Sequence, residues 1–255
     1  MTTANILSRG HSRGGWQRLV LWALLALSMV LTGCASGSGV TSRDPFERFN
    51  RSMTHFNDGV DQVVLKPAAT AYRTVAPPMV RTGVSNFFGN LNDMWSVVNN
   101  LLQFKVQHAA EMFIRVNMNT FIGLGGVLDV ASEFNMERHK EDFGQTLGRW
   151  GVPAGPYVVL PLLGPSTVRD AAAFSLDRQG DLVRGISPAS ARNGIYVLRG
   201  VNIRSNLLRA STVLDEVALD KYSFTRDVFL QRRRAEMFDG DPPDLPSEQA
   251  QPVQK

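Results

Sequence analysis

Residue types that could do chemistry are thinly spread along this chain. Beyond residue 33 the histidines are His55, His108 and His139, far apart and without the H-E-x-x-H or paired-cysteine spacing of a metal centre. Ser166, in Gly-Pro-Ser-Thr-Val-Arg-Asp, has no G-x-S-x-G elbow to present it as a nucleophile and reads better as a helix cap. Glu141 and Asp142 are adjacent in sequence. Acid–base work needs opposing carboxylates, whereas a helix start explains the pair through the macrodipole. The Gly-Leu-Gly-Gly run at 123–126 invites a phosphate-loop reading, but residue 128 is Leu128, no strand precedes the run, and no Gly-Lys-Ser/Thr follows. It reads as a helix break that permits close backbone approach. The expectation is a protein that is not an enzyme, with no metal and no cofactor.

Cys34 is the one residue with a clear chemical task. Arg9, Arg13 and Arg18 precede Leu19 to Leu31, an almost wholly apolar stretch, and then comes Leu31-Thr32-Gly33-Cys34. A short apolar stretch closed by small residues is a secretory signal and not a spanning helix. Leu-x-Gly-Cys resembles the bacterial lipobox, whose cysteine becomes the lipid-modified N-terminus. Ala35, rather than Asp, follows it, which implies the outer membrane. A lipid on Cys34 would anchor the chain without a transmembrane helix. Cys34 is also the only cysteine, so no disulfide framework is available.

The pI of about 9.5 overstates the basic character of the body. The leader holds three arginines and no acid, so removing it leaves 24 basic and 23 acidic residues from the original 27 and 23. A near-neutral balance without a basic stripe argues against nucleic acid. The one basic cluster, Arg232 to Arg234, reads as a solvated helix face.

These residues must be positioned by helices. After the signal peptide (1–33) and a Gly/Ser-rich tether (34–43), Asp44-Pro45-Phe46-Glu47 has the form of a capping box with proline at the first helical position. Phe46, Phe49, Met53, Phe56 and Val60 then recur at helical spacing, and the helix is expected to end near Lys66-Pro67. Further helices are expected over 79–88, 91–104, 107–121, 127–134, 142–150, 166–176, 193–218 and 223–238. No hairpin is evident. The tail, 239–255, is polar and proline-rich and reads as disordered. The class is all-α with a single domain over 44–238.

Two features stand out, each compatible with an ordinary core or with a lipid setting. Seven asparagines, at 86, 90, 92, 99, 100, 117 and 119, lie among apolar helices. Such amides can bond across helices or serve as caps and turns, the latter being the preferred reading for Asn90 and Asn92 beside Gly89. The other feature is the run from Trp150 to Val168, which contains no Asp, Glu, Lys or Arg. It is long enough to span a bilayer as a helix, but Pro153, Pro156, Pro161 and Pro165 forbid one.

Four ordered motifs carry a resemblance: Asp-Pro-Phe-Glu-Arg-Phe-Asn-Arg at 44–51, Ser-Asn-Phe-Phe-Gly-Asn-Leu at 85–91, Asn-Thr-Phe-Ile-Gly-Leu-Gly-Gly-Val-Leu-Asp-Val-Ala at 119–131, and the long run 141–170. They resemble the MlaA (VacJ) family of outer-membrane lipoproteins, closely over 44–178 and more loosely to about 240. The resemblance implies a ring-like bundle of amphipathic helices lying in the inner leaflet of the outer membrane, with a central amphipathic channel. It implies intermembrane phospholipid transport: removal of phospholipid misplaced in the outer leaflet and its delivery to a periplasmic carrier of the MlaC type, in association with a porin trimer. A porin-associated scaffold without lipid passage is the alternative. On this reading Tyr157, Val158, Val159, Leu160, Leu162 and Leu163 face lipid or form channel wall, the loop over 181–200 is a candidate gate, and Phe56 and Asn57 help hold the channel closed.

Overall fold

Helix α1 (Glu47–Val60) forms on the aromatic stripe, but not with the cap its sequence suggests. Phe46 occupies the N-cap position without a side-chain cap, and the Glu47 carboxylate instead takes Arg51 Nε at 2.9 Å, one turn on. Nor does the helix stop at Lys66-Pro67. A π-helical turn, Asp61–Leu65, carries the chain into α2 (Lys66–Val75). Pro67 falls in the first turn of α2, where the widened turn has already broken the i→i−4 register and a missing N–H costs little.

The computed structural model describes residues 44–243. The expected signal peptide, Cys34, the expected tether and the tail from 244 onward lie outside the described residues.

Helix α3 (Pro78–Leu102) runs unbroken through Gly89, where two helices were expected. A single helical glycine costs only about 1 kcal/mol relative to alanine. Its bareness is used here, because a Cβ on Gly89 would lie 3.0 Å from the Arg138 guanidinium. Asn90 and Asn92 are therefore helical residues, not turn residues. Phe104, at φ 61°, helps turn the chain into α4 (Val106–Phe121), which packs along α3. The expected helix over 127–134 shrinks to one turn, α5 (Val130–Glu133), capped by Asp129. Helix α6 (Phe143–Arg149) carries a true capping box made by Asp142 and Gln145.

The apolar proline run resolves into a hairpin, which corrects the reading that none is evident in an otherwise helical chain. Strand β1 (Tyr157–Leu160) pairs antiparallel with β2 (Gly164–Thr167). The strands are only four residues long, too short to reveal an alternation in sequence. Leu162 and Gly164 take positive φ to make the turn. Ser166 lies in β2, and Thr167 caps α7 (Val168–Gly180) in its place. A 3₁₀ turn (Leu182–Gly185) leads to the long α8 (Ala189–Val217), which packs along α2. Helix α9 (Lys221–Met237), capped by Asp220, packs on α6 and β2.

Burial runs against the ordinary rule. Tyr157, Val159 and Tyr222 form a small apolar cluster with Met53, Phe229 and Leu230. Elsewhere, among the described residues, more polar than apolar side chains are buried, while Phe104, Phe113, Phe121, Val197 and Val217 are each at least 60% exposed. No helix among the described residues is long and apolar enough to cross a membrane.

Candidate functional site

A cavity of about 930 Å³ opens among five helices. Helix α3 presents Asn92 and Trp95 to it, α6 Gln145, α7 Asp177 and Arg178, α8 Tyr196 and Arg199, and α9 Arg232 and Arg233. Lys140 to Asp142 and the hairpin residue Leu163 complete the lining. Apolar and charged groups thus share one wall.

The acids of this wall are engaged. Arg199 Nη1 lies 2.7 Å from Asp181. Trp95 Nε1 and the Phe143 N–H both donate to Asp177 at 2.8 Å, and burial nevertheless pushes that carboxyl above its ordinary value. Glu141 is likewise pushed up by burial, against the pull of Lys105 at 2.8 Å and of Gln103. Arg233 fixes three helices at once. It reaches Asp142 at 2.6 Å at the start of α6, Asp170 at 2.8 Å on α7, and Glu236 on its own helix. Burial raises the Asp170 carboxyl, but the Arg233 hydrogen bond and charge outweigh it and hold the group below its usual range. Gly144 makes room, since a Cβ there would meet Asp170 at 2.4 Å. Lys140, Arg178 and Arg232 are exposed cations of the same lining.

The run Arg232–Arg234 is therefore not simply a solvated face: Arg233 sits within the charge network, while the exposed Arg232 touches only its edge, at Glu236. The asparagines act as staples between segments. Asn99 Oδ1 accepts from Thr146, Asn100 Nδ2 donates to His139 O, and Asn119 holds Asp129 and the Ala131 N–H. Two of the dispersed histidines meet. His108 and His139 stack at 3.9 Å, with Glu111 2.8 Å from His139 Nε2. Among the described residues no cluster of three or more His, Cys, Asp or Glu could hold a metal.

The residues expected to face lipid or wall the channel divide by strand alternation. Tyr157 and Val159 point into the apolar cluster and are 3% exposed, Val158 and Leu160 are half-buried, and Leu162 and Leu163 are exposed, Leu163 lining the cavity. Phe56 is half exposed on α1. Asn57 does something sequence reasoning missed. Its Nδ2 donates to Leu160 O at 3.0 Å, and its Oδ1 accepts from the Leu162 N–H at 2.7 Å. Asn50, two turns earlier, does the same with Tyr157 O (3.0 Å) and the Val159 N–H (2.9 Å). Two amides seven residues apart on one helix face thus pair with β1 as a neighbouring strand would. The i, i+7 spacing was visible; its partner strand was not. The candidate gate over 181–200 takes up the 3₁₀ turn and the start of α8, and supplies Asp181, Tyr196 and Arg199 to the cavity.

The family model for "MlaA lipoprotein" matches residues 42–236. The chain is 37% identical over 227 residues to the "Intermembrane phospholipid transport system lipoprotein MlaA" of Escherichia coli (strain K12), covering 84% of this chain and 87% of that one. The Haemophilus influenzae protein of the same name is 37% identical over 167 residues, 63% of this chain and 66% of that one. A solved structure described under "Structural basis for maintenance of bacterial outer membrane lipid asymmetry" superposes with a TM-score of 0.66 at 34% identity, covering 78% of this chain and 99% of that chain. With a family match spanning most of its length and a relative of this identity and coverage, the chain belongs to the MlaA lipoprotein family.

Proposed function

We propose that this protein transports phospholipid between membranes, withdrawing misplaced molecules from the outer leaflet of the outer membrane and passing them to a periplasmic carrier. The observation that carries this reading is the inverted distribution of polarity. A cavity lined by many charged groups lies among helices that expose numerous large apolar side chains. A phospholipid needs both surfaces along one path, a polar wall for the headgroup and an apolar one for its tails. The names of the relatives agree with that chemistry.

In this reading the helices lie as a ring in the inner leaflet and the cavity is the polar stretch of a central channel. A lipid on Cys34 adds the anchor, a porin trimer braces the ring, and a carrier of the MlaC type receives the lipid at the periplasmic face. The protein makes and breaks no bond. Leu162 and Leu163 are the lipid-facing or wall residues of the hairpin, and Asn57, through its two bonds to the hairpin turn, holds Leu163 at the cavity mouth. Phe56 covers the same turn of α1 from the lipid side.

The test is outer-leaflet phospholipid in cells lacking the gene, read with a headgroup-reactive, membrane-impermeant label. The expected result is a rise on deletion that a wild-type copy reverses. No rise, or a rise that the wild-type copy leaves unchanged, overturns the proposal.

A further inference from the structure

A second cavity, of about 970 Å³, lies across the seam between α3 and α8. Its walls are largely hydrocarbon, from Val84 and Phe87 on α3, Val127 and Val130 beyond the glycine turn, and Leu198 on α8. Of its polar residues, Asn86 is engaged with Val127 O at 3.1 Å and Asp129 with Arg115 at 2.9 Å, while Thr82 and Glu133 are exposed. The floor is built, not collapsed. Gly83 leaves room for Val127, whose Cγ1 a Cβ there would meet at 2.8 Å.

The groove and the polar cavity share a wall. Phe88 lines the groove and Gly89 the cavity; Leu198 lines the groove and Arg199 the cavity. The partition is Phe88, buried, with the Arg199 guanidinium 5.1 Å from its ring centroid. Arg199 also donates to Asp181 and to Asn92 Oδ1 on the polar side, while its Nε is buried without a hydrogen-bond partner. One cation thus meets an aromatic face toward the hydrocarbon and a carboxylate toward the polar cavity. Met79 and Val80, 84% and 52% exposed, carry the apolar lining out to the surface.

We infer that this groove seats the acyl chains of a phospholipid whose headgroup occupies the polar cavity, with the molecule straddling Phe88 and Arg199. The inference rests on the transport reading and adds a lateral tail site to it. An amphiphile matches the juxtaposition. Its tails need only hydrocarbon, which the groove offers from the outer surface inward, and its phosphate needs cations, which the exposed Lys140, Arg178 and Arg232 offer on the polar side of the partition.

The full-length protein in phosphatidylethanolamine–phosphatidylglycerol vesicles tests this with two photoreactive phospholipids, one carrying a diazirine at mid-tail and one on the headgroup. The tail probe should cross-link at Val84 and Leu198, and the headgroup probe at Lys140 and Asp177. Leu198→Trp, which fills the groove, should lose the Val84 tail cross-link and fail to lower outer-leaflet phospholipid in deletion cells. Tail labelling spread evenly over exposed residues such as Leu101 and Phe113 overturns the inference. So does a Leu198→Trp chain that complements fully, or a photoreactive residue at Val84 that captures protein instead of lipid. Failure of the wild-type chain to lower outer-leaflet phospholipid would instead strike the transport reading, leaving the cross-link positions to judge the groove separately.

Discussion

The hairpin corner and the α3–α6 seam both bury side chains, of opposite kinds. At the corner, Tyr157, Val159 and Tyr222 make an ordinary apolar cluster. In the seam, Ser96, Asn99, Asn100, Gln103, Glu141 and Thr146 are all buried and bound to one another or to backbone. Turn α3 over and Met94, Val98 and Leu101 face outward. Water alone would not select that helix, since apolar burial is the main driving force of folding. An apolar surrounding removes the penalty on the outer face and raises the cost of every unpaired polar group within. The difference between the two regions marks where the fold relies on apolar side-chain burial and where it relies on hydrogen bonding, the proposed hydrocarbon surroundings covering the outer face.

The comparison can be broken first at its strongest polar joint. Arg233→Ala would leave Asp142 without its ion-pair partner and Asp170 with Arg169 alone, at 3.0 Å, and should cost about 3 kcal/mol in thermal unfolding of the detergent-solubilised protein. Arg233→Lys should recover only part, because ammonium cannot make the guanidinium's forked contacts. A smaller loss, about 2–3 kcal/mol, is expected for Asn50→Ala, which orphans Tyr157 O and the Val159 N–H. If hairpin stability came from apolar packing alone, that substitution would be nearly silent.

Acid titration sharpens the electrostatic side. Asp170 has a folded value held below its unfolded one. Its contribution is complete above the ordinary aspartate value of about 4 and is lost as the pH falls through the folded value. The wild-type chain should therefore lose stability in that acid window, and Arg233→Ala should lose less there. The least effect on unfolding belongs to the outer face. Leu101→Ser should change detergent unfolding by under about 0.5 kcal/mol while measurably weakening flotation with vesicles. A large unfolding effect would mean that the face is core.

Helix periodicity and the family motifs made most helices legible, and the charge-free proline run announced an exceptional segment. The hairpin stayed hidden because four-residue strands offer too little alternation, and because Pro165 at a sheet position argues against a strand. The continuation through Lys66-Pro67 required a π turn, which no local pattern signals. The cavity was illegible for a different reason. Asp142, Asp170 and Arg233 lie 28 and 63 residues apart along the chain, and their meeting depends on three helix packings. Asn50 and Asn57 were visible as polar residues on an aromatic helix, without any sign that backbone was their partner.

That pair of amides also governs what this chain is unable to join. An uncovered strand edge is a template on which another polypeptide can add itself. Asn50 and Asn57 take up the outward carbonyls of Tyr157 and Leu160 and the outward N–H groups of Val159 and Leu162. Beside so much bare hydrocarbon, these four bonds leave the outer edge of β1 less of a ladder to extend, so greasy surfaces of two copies that collide have less there to zip into a growing sheet.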